Sequence, residues 1–302
     1  MFRRRIAGLS AASIMILAAT AQTPLLDNPP PAEKIEVPAG GVVLPMGDIG
    51  GRPLVDVMIN GKGPYRFILD TGASITVIGD DVRDELALPT RVGKDSTPAD
   101  GSVDGTVRID DLRAGDASLK GLIAAVAPLS RMFGGVAEAP RGVLSASAFP
   151  GYLLILDYPG KKVVIRKGEL PSADSRGSFQ YTQEQILPNV PVRVGGTEVR
   201  VHVDSGSPGT LSLPLKYMKE LALLSEPAKI GLARTPHGES PVWSAEIKGS
   251  VELGRFKLDL PQVTFTDVNP IPGQLVGNMG YQVLKQFIVT LDSRNRRIAF
   301  GK

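Results

Sequence analysis

Tyr65-Arg-Phe-Ile-Leu-Asp-Thr-Gly-Ala73 and Arg200-Val-His-Val-Asp-Ser-Gly-Ser207 follow one plan twice: an apolar run ending in an aspartate, then a hydroxyl residue and a glycine. A single Asp-Thr-Gly reads as a turn after a strand, because tight turns favour Asp and Gly whatever their chemistry. Two copies, behind Phe67-Ile68-Leu69 and behind Val201-His202-Val203, call for a search for an internal repeat. The flanks supply one. Pro53-Leu-Val-Asp-Val-Met-Ile-Asn-Gly61 aligns with Pro188-Asn-Val-Pro-Val-Arg-Val-Gly-Gly196, and Asp84-Glu-Leu-Ala-Leu88 with Lys219-Glu-Leu-Ala-Leu223. LLILDYPGKKVVI, starting at Leu153, aligns with IVTLDSRNRRIAF, starting at Ile288. Segments recurring in one order define two halves, residues 42–167 and 179–302, joined by a link over 168–178.

Within each half, short runs of Val, Ile and Leu are punctuated by Gly, Pro, Asp and Asn, drawn from 34 glycines and 25 prolines. That pattern predicts an all-β fold of many short strands joined by turns. Helical periodicity is brief and predicts two or three turns over 80–88 and over 215–224.

The amino terminus has a different character. Arg3, Arg4 and Arg5 precede an apolar run from Ile6 to Ala19, and Ala19-Thr20-Ala21 offers a small-x-small cleavage pattern. Residues 1–21 therefore read as an export signal, which predicts a secreted or periplasmic protein. The run falls short of the roughly 20 residues a membrane span needs. Residues 22–41, with four prolines between Pro24 and Pro31, read as a tether. Setting the signal aside removes three of 34 basic residues and leaves 31 against 31 acidic ones, so the net charge of +3 is no argument for a nucleic-acid partner. The absence of cysteine excludes disulfides, thiolate metal sites and a lipid-modified amino-terminal cysteine.

The stretch Asn60-Gly-Lys-Gly-Pro-Tyr-Arg-Phe-Ile-Leu-Asp-Thr-Gly-Ala73 resembles the strand and catalytic loop of aspartic proteases, in particular the retropepsin-like and pepsin-like group in its bacterial form. A second signature of that group is two apolar residues and a glycine, then a short helix and a strand ending near an aspartate. Leu275-Val276-Gly277, followed by 281–286 and 288–292, fits it. Val143-Leu144-Ser145 fits with serine in place of glycine. On that alignment Ser145 lies 75 positions after Asp70 and Gly277 lies 73 after Asp204, but Ser145 to Asp157 is 12 positions whereas Gly277 to Asp292 is 15.

The resemblance implies two β-barrel lobes related by a pseudo-twofold axis, with Asp70 and Asp204 as the catalytic carboxyls in the cleft between them. It implies loop support from Thr71, Gly72, Ala73, Ser205, Gly206 and Ser207: glycines for tight loops, hydroxyls hydrogen-bonding across the axis. It also implies substrate contacts from Ile68 and His202, each two residues before an aspartate, and from Gly101 in a hairpin over 94–107 that folds across the cleft. No cofactor and no metal are called for, the partner is a polypeptide, and a monomer already holds both halves.

The chemistry gives the duplication a reason. Amide hydrolysis needs one group to take a proton from water and another to polarise the carbonyl and protonate the leaving nitrogen. Two carboxyls held together cannot both ionise, so the pair keeps one shared proton and offers acid and base at once; aspartic proteases are the standard instance of this effect. Position four of the loop is Ala73 in one half and Ser207 in the other, which predicts that the Ser207 hydroxyl donates to Asp204 and leaves Asp70 with the proton. His202 is expected on the face of its strand that carries Asp204. With His237 as the only other histidine, a His-based zinc site is disfavoured. Trp243, the one tryptophan, is expected to pack in the core. A catalytically silent binder of peptides or glycans remains the alternative, because a side chain at Ser145 could displace the first catalytic loop.

Overall fold

The computed structural model describes residues 14–15, 30–91, 105–133, 138–181, 187–235, 238–260, 262–267 and 276–302. Apart from the backbone of residues 14–15, the expected signal lies outside them. Each half begins with a β-hairpin. Pro53–Ile59 pairs antiparallel with Lys62–Asp70, and Asn189–Val194 with Thr197–Val203. The connecting turns need positive φ at both central residues, which Asn-Gly and Gly-Gly tolerate. Asn60 and Gly61 sit at φ 49° and 78°, Gly195 and Gly196 at 56° and 91°.

Past each hairpin the chain runs through the Asp-hydroxyl-Gly loop into a short strand, Val77–Gly79 or Leu211–Leu213. A late segment of the same half then inserts beside it. Gly142–Ser145 lies parallel to Lys62–Asp70 and antiparallel to Val77–Gly79. Gly277–Met279 lies parallel to Thr197–Val203 and antiparallel to Leu211–Leu213. These pairings build a nine-stranded sheet from the first half and a ten-stranded sheet that holds the second.

The register corrects the alignment read from sequence. Gly142 pairs with Phe67 and Ser145 with Asp70, whereas Gly277 pairs with Val201, three residues before Asp204. Gly142 is therefore the counterpart of Gly277, and Ser145 is the counterpart of Gly280. From Ser145 to Asp157 and from Gly280 to Asp292 are both 12 positions, so the apparent difference in length between the halves disappears. The two-apolar-then-glycine pattern selected Leu275-Val276-Gly277 and passed over Asn278-Met279-Gly280, whose first residue is polar, although the flanking repeats already place Ser145 and Gly280 at equivalent positions.

A third, six-stranded sheet draws on both halves, in the order Ser178–Gln180, Arg297–Gly301, Ile288–Asp292, Leu153–Asp157, Lys162–Arg166, Val42–Pro45. At its centre Leu153–Asp157 runs antiparallel to Ile288–Asp292 with Ile155 opposite Thr290. Those two residues are equivalent in the repeat, so the pseudo-twofold axis passes between them. One hydrophobic core continues through both halves, and a second cluster, including Leu54, Ile68, Ala73, Val77 and Val143, occupies the sheet face that carries Asp70.

Two expectations need adjustment. Lys34–Glu36, placed in the tether, is a strand paired antiparallel with residues 118–120, so the first sheet begins before residue 42. The helices are shorter than their periodicity: Asp80–Glu85, stopped as Ala87 turns to φ 49°, and Tyr217–Glu220, stopped by extended backbone at Leu221.

A Cβ on Gly142 would fall on the ring of Phe67, which is fully buried and has no room to retreat. We predict that Gly142→Ala lowers unfolding free energy by about 1–3 kcal/mol, the usual range for overpacking. Urea denaturation measures this, and an unchanged midpoint would contradict the packing described.

Candidate active site

The strands ending at Asp70 and Val203 deliver two loops that clasp each other across the axis. Thr71 N–H donates to Ser205 Oγ at 2.9 Å, and Ser205 N–H donates to Thr71 Oγ1 at 3.0 Å. Each hydroxyl then passes its own proton across the axis: Thr71 Oγ1 to the Val203 carbonyl at 2.6 Å, Ser205 Oγ to the Leu69 carbonyl at 2.7 Å. Thr71 and Ser205 are buried, so these four bonds have no water competing for them.

The clasp brings the two aspartate carboxyls side by side, both within reach of the same point beside Gly72. Asp70 is 2% exposed, while Asp204 retains partial access to solvent. The loop glycines make the approach possible. A Cβ on Gly72 would stand 2.8 Å from Asp204 Oδ1, and one on Gly206 would run into the Asp70 carboxyl. A side chain at Gly72 or Gly206 would push the opposite carboxyl away.

Backbone and amide N–H groups converge on both carboxyls. Asp70 Oδ1 accepts Gly72 N–H at 2.7 Å and Gly206 N–H at 3.2 Å. Asp204 accepts Ser207 N–H on Oδ1 at 3.0 Å and the Asn278 amide Nδ2 on Oδ2 at 2.9 Å. Burial, then the charge of Asp204, pushes the Asp70 carboxyl well above the ordinary range. Burial also raises Asp204, but Asn278 and the backbone donors of Ser207 and Gly206 work against that rise. Both carboxyls are raised, so the pair holds a shared proton at pH values where a lone carboxylate would be ionised, and the Asn278 amide gives Asp204 a side-chain donor that Asp70 lacks.

A family model described as aspartyl protease matches residues 55–147 and again 190–283, one match in each half. The chain belongs to the aspartyl protease family. A search of curated proteins finds no match to the chain. Both aspartyl protease matches contain one aspartate-loop segment and its inserted strand, the same unit that strand pairing defines twice.

The loop residues expected from sequence, Thr71, Gly72, Ala73, Ser205, Gly206 and Ser207, all meet around the two aspartates. The donor to Asp204 was expected to be the Ser207 hydroxyl; it is the Ser207 backbone N–H together with Asn278. The Ser207 hydroxyl instead accepts Gly209 N–H at 3.4 Å and fills the space beside Gly280, where a Cβ would stand 2.9 Å from it. In the first lobe the hydroxyl comes from the other side: Ser145 Oγ donates to the Ala73 carbonyl at 2.7 Å. Ala73 with Ser145 and Ser207 with Gly280 are thus two solutions to one packing problem, and Ser145 ties the first loop down rather than displacing it.

Ile68 and His202, read as substrate contacts, are each 1% exposed and present no open surface. Gly101 and most of the expected hairpin lie outside the described residues, although its returning strand is present as Thr106–Ala114. Trp243 packs against the main core, as expected. Arg52 went unnoticed in sequence: its Nε donates to the Gly206 carbonyl at 2.8 Å, and its cation acts on Asp204 and Asp70 from the first half. A lone arginine 18 positions before an aspartate carries no local signal. Tyr158 is buried close enough to both aspartates that, after burial itself, their charges raise its phenol further.

Two measurements test this geometry. In a double-mutant cycle, Thr71→Val and Ser205→Ala should each destabilise by about 1–3 kcal/mol and couple by roughly 0.5–3 kcal/mol, because each orphans groups on the other loop; additive effects would dissolve the clasp. Asp70 holds its proton to higher pH folded than unfolded, so its contribution is complete in acid and is lost as pH rises past the ordinary carboxylate range towards its raised value. Urea unfolding across pH should show wild type losing stability relative to Asp70→Asn as pH rises, and parallel curves would contradict it.

Proposed function

We propose that the chain is an aspartic endopeptidase that hydrolyses peptide bonds with Asp204 as base and Asp70 as acid. The observation that supports this most directly is the pair of adjoining carboxyls with unequal donors. In the proposed reaction Asp204 takes a proton from water as its oxygen attacks the scissile carbonyl carbon, while Asp70 gives its proton to the carbonyl oxygen. The tetrahedral diol then collapses: Asp204 returns its proton to the amide nitrogen, the C–N bond breaks, and Asp70 recovers a proton from the hydroxyl becoming the new carboxyl group. The low local dielectric and fixed N–H donors hold the two protonation states apart between turnovers.

The reading as a silent binder rested on Ser145 displacing the first loop. Its hydroxyl instead bonds the Ala73 carbonyl, and Ser145 N–H donates to Thr76 Oγ1 at 3.3 Å, so that ground is gone. The substrate in this proposal is an extended polypeptide, and one chain supplies both aspartates, so a monomer suffices. Residues 1–21 support export, placing the enzyme in the periplasm or outside the cell.

Purified protein lacking residues 1–21 should digest denatured casein, and a statine-type inhibitor should block it. Asp70→Asn and Asp204→Asn should each reduce the rate at least about 100-fold, the scale of general acid–base catalysis. Full activity in either variant would end this reading.

A further inference from the structure

Across the sheet of the second lobe, Asn189, His202, Asn278 and Ser212 stand side by side on neighbouring strands. The matching row in the first lobe is Leu54, Ile68, Val143 and Val77. The same four places are apolar beside Asp70 and polar beside Asp204. The polar row is also incompletely bonded. His202 is 1% exposed and Asn189 fully buried, yet both ring nitrogens of His202, the Asn189 Nδ2 and the Asn278 Oδ1 have no partner. Buried polar groups left unbonded are rare and call for a physical reason.

The available donors and acceptors match in number. Asn278 donates through Nδ2 to Asp204, which leaves its Oδ1 to accept. Arg200 donates to Asn189 Oδ1 at 2.9 Å, which leaves Asn189 Nδ2 to donate. Between them stands His202, which in its neutral form has one N–H and one bare nitrogen, so it can give to Asn278 and receive from Asn189. Burial lowers the His202 pKa to about 4, which keeps the ring neutral in mild acid and above. The charged groups nearest it in the chain are Arg200 on its own strand and Asp204 just past the strand's end; Asn189 and Asn278, which face it from the strands on either side, are neutral.

We propose that Arg200, Asn189, His202, Asn278 and Asp204 form one relay, closed by side-chain rotation or by one ordered water, in which His202 is a positioning residue that holds the Asn278 amide against Asp204. Every dipole in the relay then points the same way, from the guanidinium towards the carboxylate, and successive bonds strengthen one another. On the other side of the dyad, Leu54, Ile68 and Val143 offer Asp70 nothing that stabilises charge. The contrast between the two rows, more than the loop residues, decides which aspartate is ionised. This rests on the proposed peptidase reading for its catalytic meaning, but the bias itself is a property of the two carboxyls and can be read without substrate.

The test uses the residues of the first lobe as replacements, since that lobe already packs them: His202→Ile and Asn278→Val, with His202→Gln as the variant that keeps one donor and one acceptor. Carbon-13 NMR of aspartate-labelled protein, with the Asp204 signal assigned by its loss in Asp204→Asn, follows the carboxyl titration directly. His202→Ile and Asn278→Val should raise the Asp204 titration by roughly one pH unit, and His202→Gln should leave it near wild type. With casein, the acid limb of kcat should move up by the same amount with KM unchanged. An Asp204 titration that stays put in both replacements, or that His202→Gln moves as far as His202→Ile does, overturns the relay. Should His202→Ile fail to fold, His202→Leu, which also removes both ring nitrogens, decides in its place, because Asn278→Val removes the direct donor to Asp204 whatever His202 does. If wild type cleaves nothing while the NMR shifts appear, the relay stands and the peptidase reading falls; cleavage with unmoved titrations gives the reverse.

Discussion

Two loops cross at the pseudo-twofold axis, and Thr71 and Ser205 hold them there with four hydrogen bonds, two to each other and one each to the Val203 and Leu69 carbonyls. Asp70 and Asp204 follow strands of separate sheets, each with its own hairpin and its own inserted strand, so the crossing loops are where the two meet. Opposed carboxyls repel when both are ionised, so the loops need a restraint that does not depend on the carboxyls themselves. Buried hydroxyls bonded to backbone atoms of the opposite lobe supply it. Gly72 and Gly206 complete the constraint by leaving empty the space that the opposite carboxyl occupies.

The lobes are also joined away from the site. The six-stranded sheet pairs Leu153–Asp157 with Ile288–Asp292, and Ile155 and Thr290 meet on the same axis the loops straddle. Backbone pairing at one place and side-chain clasping at another fix the relative position of the halves. Arg52 adds a tie from the first half to the Gly206 carbonyl, with its cation near the charge that the dyad carries.

Duplication produced two similar halves, but a dyad that works as acid and base at once needs them to differ. The difference lies in single positions on a shared framework. Ala73 and Ser145 face Ser207 and Gly280 as alternative packings, and Val143 faces Asn278 as apolar wall against amide donor. Only the second of these side-chain contrasts reaches a carboxyl oxygen, through the Asn278 amide on Asp204; the Ser207 hydroxyl bonds the backbone instead.

From the order of residues alone came the repeat, the all-β architecture, the paired aspartates and their loop partners. Each of these depends on contacts local in sequence or on a pattern stated twice, such as Asn60-Gly61 and Gly195-Gly196 at matching turns. Tertiary structure alone decided that Lys34–Glu36 belongs to the first sheet, and that Asn278, His202 and Asn189 stand in one row. The reason is the period of two along a strand: a register one residue different would turn every one of those side chains to the other face, and register between strands far apart in sequence is set by packing that no short motif records.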